Sequence, residues 1–381
     1  MASSVRSRRS SGLTLWSCRS GLALLVCLVG VGACVADPPD TAATATAPQP
    51  AERSAPEDYS LDVRNVTRVT ATLTCDVSYP DAKARDWVVF ASQAPTLPGQ
   101  IKTQTTLEPE GKPAREKGEL ARPLLMGRMR ADADHAFNSL KIEVTYQATL
   151  RSRRLRQGSP RKVADLQPEE RERYLADGGF FDFNQPAVRE WVEQHGLERG
   201  GREGEIHFAR RVFLALKAGL QYDAPPRNDF HATAVCKNGR SDCGGLSVLF
   251  ASILRANHIP ARTLWGRWAH SSKPGKTWYN RPYYEVHVKA EFFARGVGWI
   301  PVDVSGAILH DTSSQGLKFF GNDPGDFIAF HIDGNFELDT LLFGVKSVGN
   351  LQMPRWWIKG KGTLKDEKRI VTWQVQRSKV N

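Results

Sequence analysis

Ser241-Asp242-Cys243-Gly244-Gly245 stands just before an apolar stripe at helical spacing, Leu246, Leu249, Phe250, Ile253 and Leu254. Ser241 or Asp242 can cap a helix that starts here, which puts Cys243 in its first turn. A thiol in that place meets the positive end of the helix dipole and unpaired backbone N–H groups, and both favour thiolate. The same donors could hold the oxyanion formed when a carbonyl is attacked, so Cys243 is an oxyanion candidate through its own amide, with Tyr222 as a second donor. Gly244 and Gly245 are expected to leave room for a substrate. His287 lies in a strand-like run, Tyr284 to Phe292, and Asp303 ends another, Gly298-Trp299-Ile300-Pro301-Val302-Asp303. A turn near Arg295-Gly296 would fold the two runs into a hairpin with positions 287 and 303 opposite each other. A carboxylate beside an imidazole fixes its tautomer and leaves the other nitrogen to face a thiol. Cys243, His287 and Asp303 then read as nucleophile, base and orienter.

The elements that must position these groups can be read from hydrophobic period. Phe208, Val212, Ala215, Leu216 and Leu220 predict a helix over 205–220, and the stripe after Cys243 predicts a second over 243–256, limited by Pro260. Strand-like runs follow at 261–268, 283–293 and 298–305. Helices first and strands afterwards predict an α+β domain over 186–342. Upstream, apolar residues fall on one parity at Leu61, Val63, Val69, Ala71, Leu73, Cys75, Val77 and Tyr79, and again from Leu140 to Leu150. That alternation predicts a small antiparallel β-sandwich over 58–152, its middle a polar excursion. The Arg-rich stretch opening 153–185 reads as a solvated linker, or as a contact for an anionic envelope surface. The last segment, 343–381, reads as a strand-rich C-terminal β extension.

These motifs resemble the transglutaminase-like superfamily, especially its secreted bacterial members. The resemblance rests on Asp242-Cys243-Gly244, on Ile259-Pro260-Ala261-Arg262 after the helix, on His287 with Glu291 four positions on, and on the G-W-x-P-x-D run ending at Asp303. Gly321 to Gly334 looks like the closing strand pair of such a domain. The resemblance covers about 200–345 and implies a papain-like core with Cys243, His287 and Asp303 as its triad. Two positions depart from the pattern. His287-Val288-Lys289 lacks the usual Trp, and His258 sits where a Gly is common, which should cost only local turn strain. No cofactor and no metal site is implied.

Composition sets the outer bounds. The 381 residues are 41% apolar and 24% charged, a globular balance that excludes collagen and wholly disordered chains. The net charge of +11 is spread out and comes without a base-reading motif, so nucleic acid is not an expected partner. Arg6, Arg8 and Arg9 precede the apolar run Gly21–Ala33, which is too short to span a membrane comfortably and reads as a signal peptide over 1–34. Val31-Gly32-Ala33-Cys34 resembles a lipobox, with Cys34 as the lipid attachment site; an ordinary signal cleaved after Ala36 is the alternative. An Ala/Thr/Pro-rich tether over 35–57 follows. The expected location is extracytoplasmic, in a bacterial envelope or periplasm, with the membrane a partner through the lipid anchor. Of the remaining thiols, Cys243 could instead be an inert core residue or pair with Cys236. The expected function is a cysteine peptidase or amidase acting on a peptide or protein substrate through a thioester. The alternatives are a glutamine cross-linker and a catalytically silent scaffold.

Overall fold

The computed structural model describes residues 58–132, 136–159, 163–223, 229–272, 275, 277–278, 281–282 and 285–380. The expected leader with Cys34, the tether, and Tyr279, Tyr283 and Tyr284 lie outside the described residues. Pro50–Asn381 is one compact unit, and its fold is α+β.

Tyr59–Ser78 is a 20-residue strand whose Val69, Ala71, Leu73, Cys75 and Val77 are buried, as their common parity requires. It pairs antiparallel with Ser139–Gln157 on one side and Lys368–Lys379 on the other. A second sheet runs in the order Arg355–Gly362, Ala82–Ser92, Pro123–Arg130, Lys112–Arg115. The inner faces share one core that includes Trp87, Tyr146 and Trp373.

Three parts of this layer differ from the sequence reading. The polar excursion is built into the sheets. Gln100–Glu108 pairs with Ser139–Gln157, and Pro123–Arg130 pairs with Ala82–Ser92 through a register that buries Leu124 and Leu125. The C-terminal segment is no appendage, because Arg355–Gly362 and Lys368–Lys379 each supply a strand to one of the two sheets. The basic stretch is not a solvated linker either. The strand continues to Gln157, Arg153 is 1% exposed, and Pro168–Arg173 is a helix leading to the buried Tyr174, Phe180 and Phe181. Arg153 can be buried because Glu291 and Asp323, 138 and 170 positions downstream, neutralise it. Sequence spacing does not carry pairings of that range.

The second layer is a four-stranded antiparallel sheet in the order Gly298–Val302, Val286–Ala294, Ala261–Trp268, Phe327–Ile332. The helix Cys243–Ala256 buries its apolar stripe against Val288, Ala290 and Phe292. Those residues alternate with His287, Lys289 and Glu291, so the strand's other face carries the polar set. Helices Glu205–Gly219 and Ala232–Asn238 join the same core. The helix Cys243–Ala256 stops where His258 takes φ 59°, the left-handed turn that glycine adopts without strain.

The hairpin register also differs from the expected one. Ala294 pairs with Gly298 and Ala290 with Val302, so the turn centres on Gly296, not Arg295. Position 303 therefore falls opposite 289. Asp303 reaches His287 diagonally, because the chain leaves the strand there and Asp303 becomes the cap of the helix Val304–His310.

Candidate active site

Asp242 is the cap of the helix Cys243–Ala256, its Oδ1 accepting from the N–H groups of Gly244 at 2.8 Å and Gly245 at 3.1 Å. Cys243 is the first residue of that helix. Two helix-end donors are thus spent on the cap, which leaves the Cys243 amide as the local donor for an oxyanion. Tyr222 pairs in a short parallel ladder with Ser241, two positions before the thiol, and is half-buried. The two glycines do not open a path for substrate. A Cβ on Gly244 would come within 2.8 Å of the Phe230 ring, and one on Gly245 within 2.1 Å of Ser241 Oγ. They are there so that Phe230, Trp265 and Ser241 can close around the helix end.

The strand bearing His287 crosses next to this end. Ser247, one turn beyond Cys243, donates through Oγ to the Val288 carbonyl at 3.2 Å, and the Val288 N–H is within hydrogen-bonding reach of the Cys243 thiol. His287 Nε2 lies 2.8 Å from Asp303 Oδ2, and both side chains are buried. Asp303 Oδ1 accepts from Gly306 N–H at 2.7 Å and Ser305 Oγ at 3.0 Å, so the carboxylate cannot swing away. Nδ1 is then the imidazole nitrogen that Asp303 does not engage. Burial pushes Asp303 up, but His287, Lys289 and the Gly306 N–H more than offset it and hold the carboxyl below its ordinary value.

Electrostatics at the thiol run against the helix-dipole expectation. Burial raises Cys243 well above its ordinary value and the Asp242 and Asp303 carboxylates add to the rise; the N–H groups of Val288 and Gly244 oppose it. Burial also lifts Asp242 to about 6, against its two capping N–H groups and His287. The helix-end N–H groups still favour thiolate, but burial and the two acids work against it. The shift is toward the thiol form, so ionising the sulfur calls for a neighbouring base. Cys75, Cys236 and Cys243 are all free thiols, so the Cys236–Cys243 bridge does not form. Burial pushes Cys236 up to about 12, the profile of an inert thiol.

Several neighbours were not assigned roles from sequence. Trp268 stacks on the imidazole, ring centroids 4.4 Å apart and planes 22° from parallel. Trp265 is instead core, edge-on to Phe230. Gln352 Nε2 donates to the carbonyls of Gly266 at 2.9 Å and His287 at 2.8 Å, clamping two strands at the histidine. Glu291, the acidic residue four positions after His287, is buried between Arg153 and Arg262. Lys289, standing where a Trp is usual, is buried with Nζ 3.3 Å from Asp323 Oδ1.

Residues 196–304 match the family model described as the transglutaminase-like superfamily, a span that runs through Cys243 and His287 to one residue past Asp303. This segment is a transglutaminase-like domain. Among solved structures the chain is similar to a candidate cysteine protease from Cytophaga hutchinsonii, at 11% identity and TM-score 0.48 over 84% of this chain and 93% of that one. It is also similar to the periplasmic domain of TgpA from Pseudomonas aeruginosa, at 14% identity and TM-score 0.32 over 61% and 88%. Red sea bream transglutaminase matches at 8% identity and TM-score 0.31 over 71% and 60%. No curated protein matches the chain.

Proposed function

We propose that this protein is a thiol-dependent acyl-transfer enzyme that cleaves amide bonds of a peptide or protein substrate as a cysteine peptidase or amidase. The observation that carries the reading is the 2.8 Å His287 Nε2–Asp303 Oδ2 bond, which engages Nε2 and leaves Nδ1 as the nitrogen available to a second partner. Cys243 gives its proton to His287 Nδ1 as the sulfur bonds to the substrate carbonyl carbon. Asp303 stabilises the imidazolium that results, and this offsets the cost of ionising a desolvated thiol. The developing oxyanion takes the Cys243 amide N–H, with Tyr222 as the second donor. His287 then returns the proton from Nδ1 to the leaving amine, the C–N bond breaks and a thioester remains. Water, deprotonated by His287, attacks the thioester, releases the acid and restores the thiol. The leader-like residues 1–34 support an extracytoplasmic place of work, with Cys34 as a lipid anchor holding the enzyme at the membrane.

Iodoacetamide tests the relay without knowledge of the substrate. Cys243 in the wild-type protein should alkylate readily at pH 7, and His287→Ala should slow it by two decades or more. Equal rates in the two proteins would leave a folded scaffold with an inert thiol. A peptide library then separates the chemistries: new amino termini mark a peptidase, ammonia with mass-shifted glutamine a deamidase, and conjugates a cross-linker.

A further inference from the structure

The β-sandwich reaches the candidate active site at two places, both on the face of the sheet that carries His287. The first runs through Trp268. Its indole lies on the imidazole, and its own backbone is held by the C-terminal strand: Trp373 Nε1–H donates to the Trp268 carbonyl at 2.9 Å. Trp373 is itself 1% exposed, edge-on to Tyr146 and Phe330 at 6.4 and 5.8 Å in the sandwich core. The following residues repeat the link. Ser272 N–H donates to the Trp373 carbonyl at 2.8 Å, and Ser271 Oγ accepts from Val375 N–H at 2.8 Å while donating back to its carbonyl at 3.3 Å.

The second place is a chain of buried charge. Lys289 Nζ stands 4.7 Å from the centre of the same Trp268 ring and 3.3 Å from Asp323 Oδ1. Asp323 Oδ2 accepts from Arg153 Nη2 at 2.9 Å, and Arg153 belongs to the sandwich strand Ser139–Gln157. Arg153 also pairs with Glu291, which Arg262 holds from the other side at 2.7 Å. His287, Lys289 and Glu291 share one face of one strand. The indole on the imidazole is therefore gripped by the sandwich through its carbonyl and flanked by a cation that the sandwich also holds.

We infer that the β-sandwich is a working part of the catalytic centre, with Trp373 a positioning residue that sets the plane of the His287 imidazole by fixing Trp268. This rests on the reading of Cys243, His287 and Asp303 as a relay. Trp373 touches none of those three groups, and its effect passes through one hydrogen bond and one stacked ring. The bond to Asp303 fixes the position of Nε2 but allows the ring to rock about it. A stacked neighbour removes that freedom, and Nδ1 must stay on line with the sulfur for proton transfer. Misplacement by about 1 Å can cost on the order of a hundredfold in rate, so a partial loosening should be readable.

Arg153 is a poor test, since its loss takes one partner from each of two buried carboxylates and threatens the fold. Trp373→Phe keeps an aromatic ring in the core and removes only the donor N–H and part of the indole. Iodoacetamide alkylation of Cys243 should fall about tenfold at pH 7, with a pH profile shifted toward that of His287→Ala. The second readout is the imidazole nitrogen resonances of His287 in a Cys243→Ala background, which should move when Trp373→Phe is added. Unchanged resonances and an unchanged alkylation profile would overturn the inference. Moved resonances in a protein whose alkylation never depended on His287 would keep the coupling and remove the relay. If Trp373→Phe fails to fold, Ser271→Ala, which cuts the adjacent link to Val375, decides through the same two readouts. An alkylation rate within twofold of wild type and unmoved resonances would again refute the inference.

Discussion

Replacing Asp303 with Asn should disable the relay by more than the loss of a charge, and the reason lies in the second oxygen. Oδ1 accepts from the Gly306 backbone N–H at 2.7 Å, a donor that cannot reverse its role, and from Ser305 Oγ at 3.0 Å. An asparagine here must keep its oxygen at that position, which turns its NH2 toward His287 Nε2. The imidazole then accepts at Nε2 and carries its proton on Nδ1, the nitrogen that should receive the thiol proton. The opposite amide orientation sets NH2 against the Gly306 N–H and leaves a buried donor unpaired, at a cost of about 1–3 kcal/mol. The charge-assisted part of the bond to the imidazolium is lost in either case, worth about 1–2 kcal/mol more. The total, about 2–5 kcal/mol, corresponds to roughly 30- to 4,000-fold at 1.4 kcal/mol per decade. The assay is the second-order rate of Cys243 alkylation between pH 5 and 9, read by mass spectrometry on protein whose circular dichroism matches wild type. A rate within threefold of wild type across that range would show that Asp303 does not orient the base.

Asp242→Asn should act in the other direction on the thiol. Asn caps a helix as well as Asp, so the bonds to Gly244 and Gly245 survive while the charge that raises Cys243 disappears; the alkylation profile should move to lower pH, and an unmoved profile would remove Asp242 from the account of the thiol. His331 should make the fold acid-sensitive. Its Nδ1–H donates to the Asp333 carbonyl at 2.7 Å and its Nε2 accepts from Leu351 N–H at 3.1 Å, so burial, with Arg122 nearby, pushes it down to about 3. The unfolded chain takes up that proton near pH 6.5, so this contribution is fully present above pH 6.5 and declines at about 1.4 kcal/mol per unit as pH falls toward 3. Urea unfolding of His331→Gln between pH 4 and 7 should give a flatter dependence by about that slope, and an equal slope would refute the assignment. His258→Gly should relieve the left-handed φ of 59° and stabilise by about 1 kcal/mol, raising Tm by about 2 °C; a lowered Tm would mean that the turn is not strained.

Where a signal was local, it was legible. The cap and apolar stripe after Asp242 located a helix whose bounds, Cys243–Ala256, match the predicted ones, and the run ending at Trp268 is the strand Ala261–Trp268. Caps and period are written within a turn or two of chain, so nearby residues suffice. The hairpin register missed by two positions because a three-residue loop centred on Gly296 looks in sequence much like a turn at Arg295.

Sequence by itself determined the superfamily resemblance and the helix end that carries Cys243, and it proposed His287 and Asp303 as its partners. Tertiary structure decided the rest. Arg153 became a buried ion-pair partner, the last strands closed the sandwich, the space at the two glycines was filled by neighbouring side chains, and burial with two nearby acids pushed the Cys243 thiol up rather than down. Most of these depend on groups that are distant in the chain and that only folding brings together. A charge's cost also depends on the water excluded around it, which no stretch of neighbouring residues specifies.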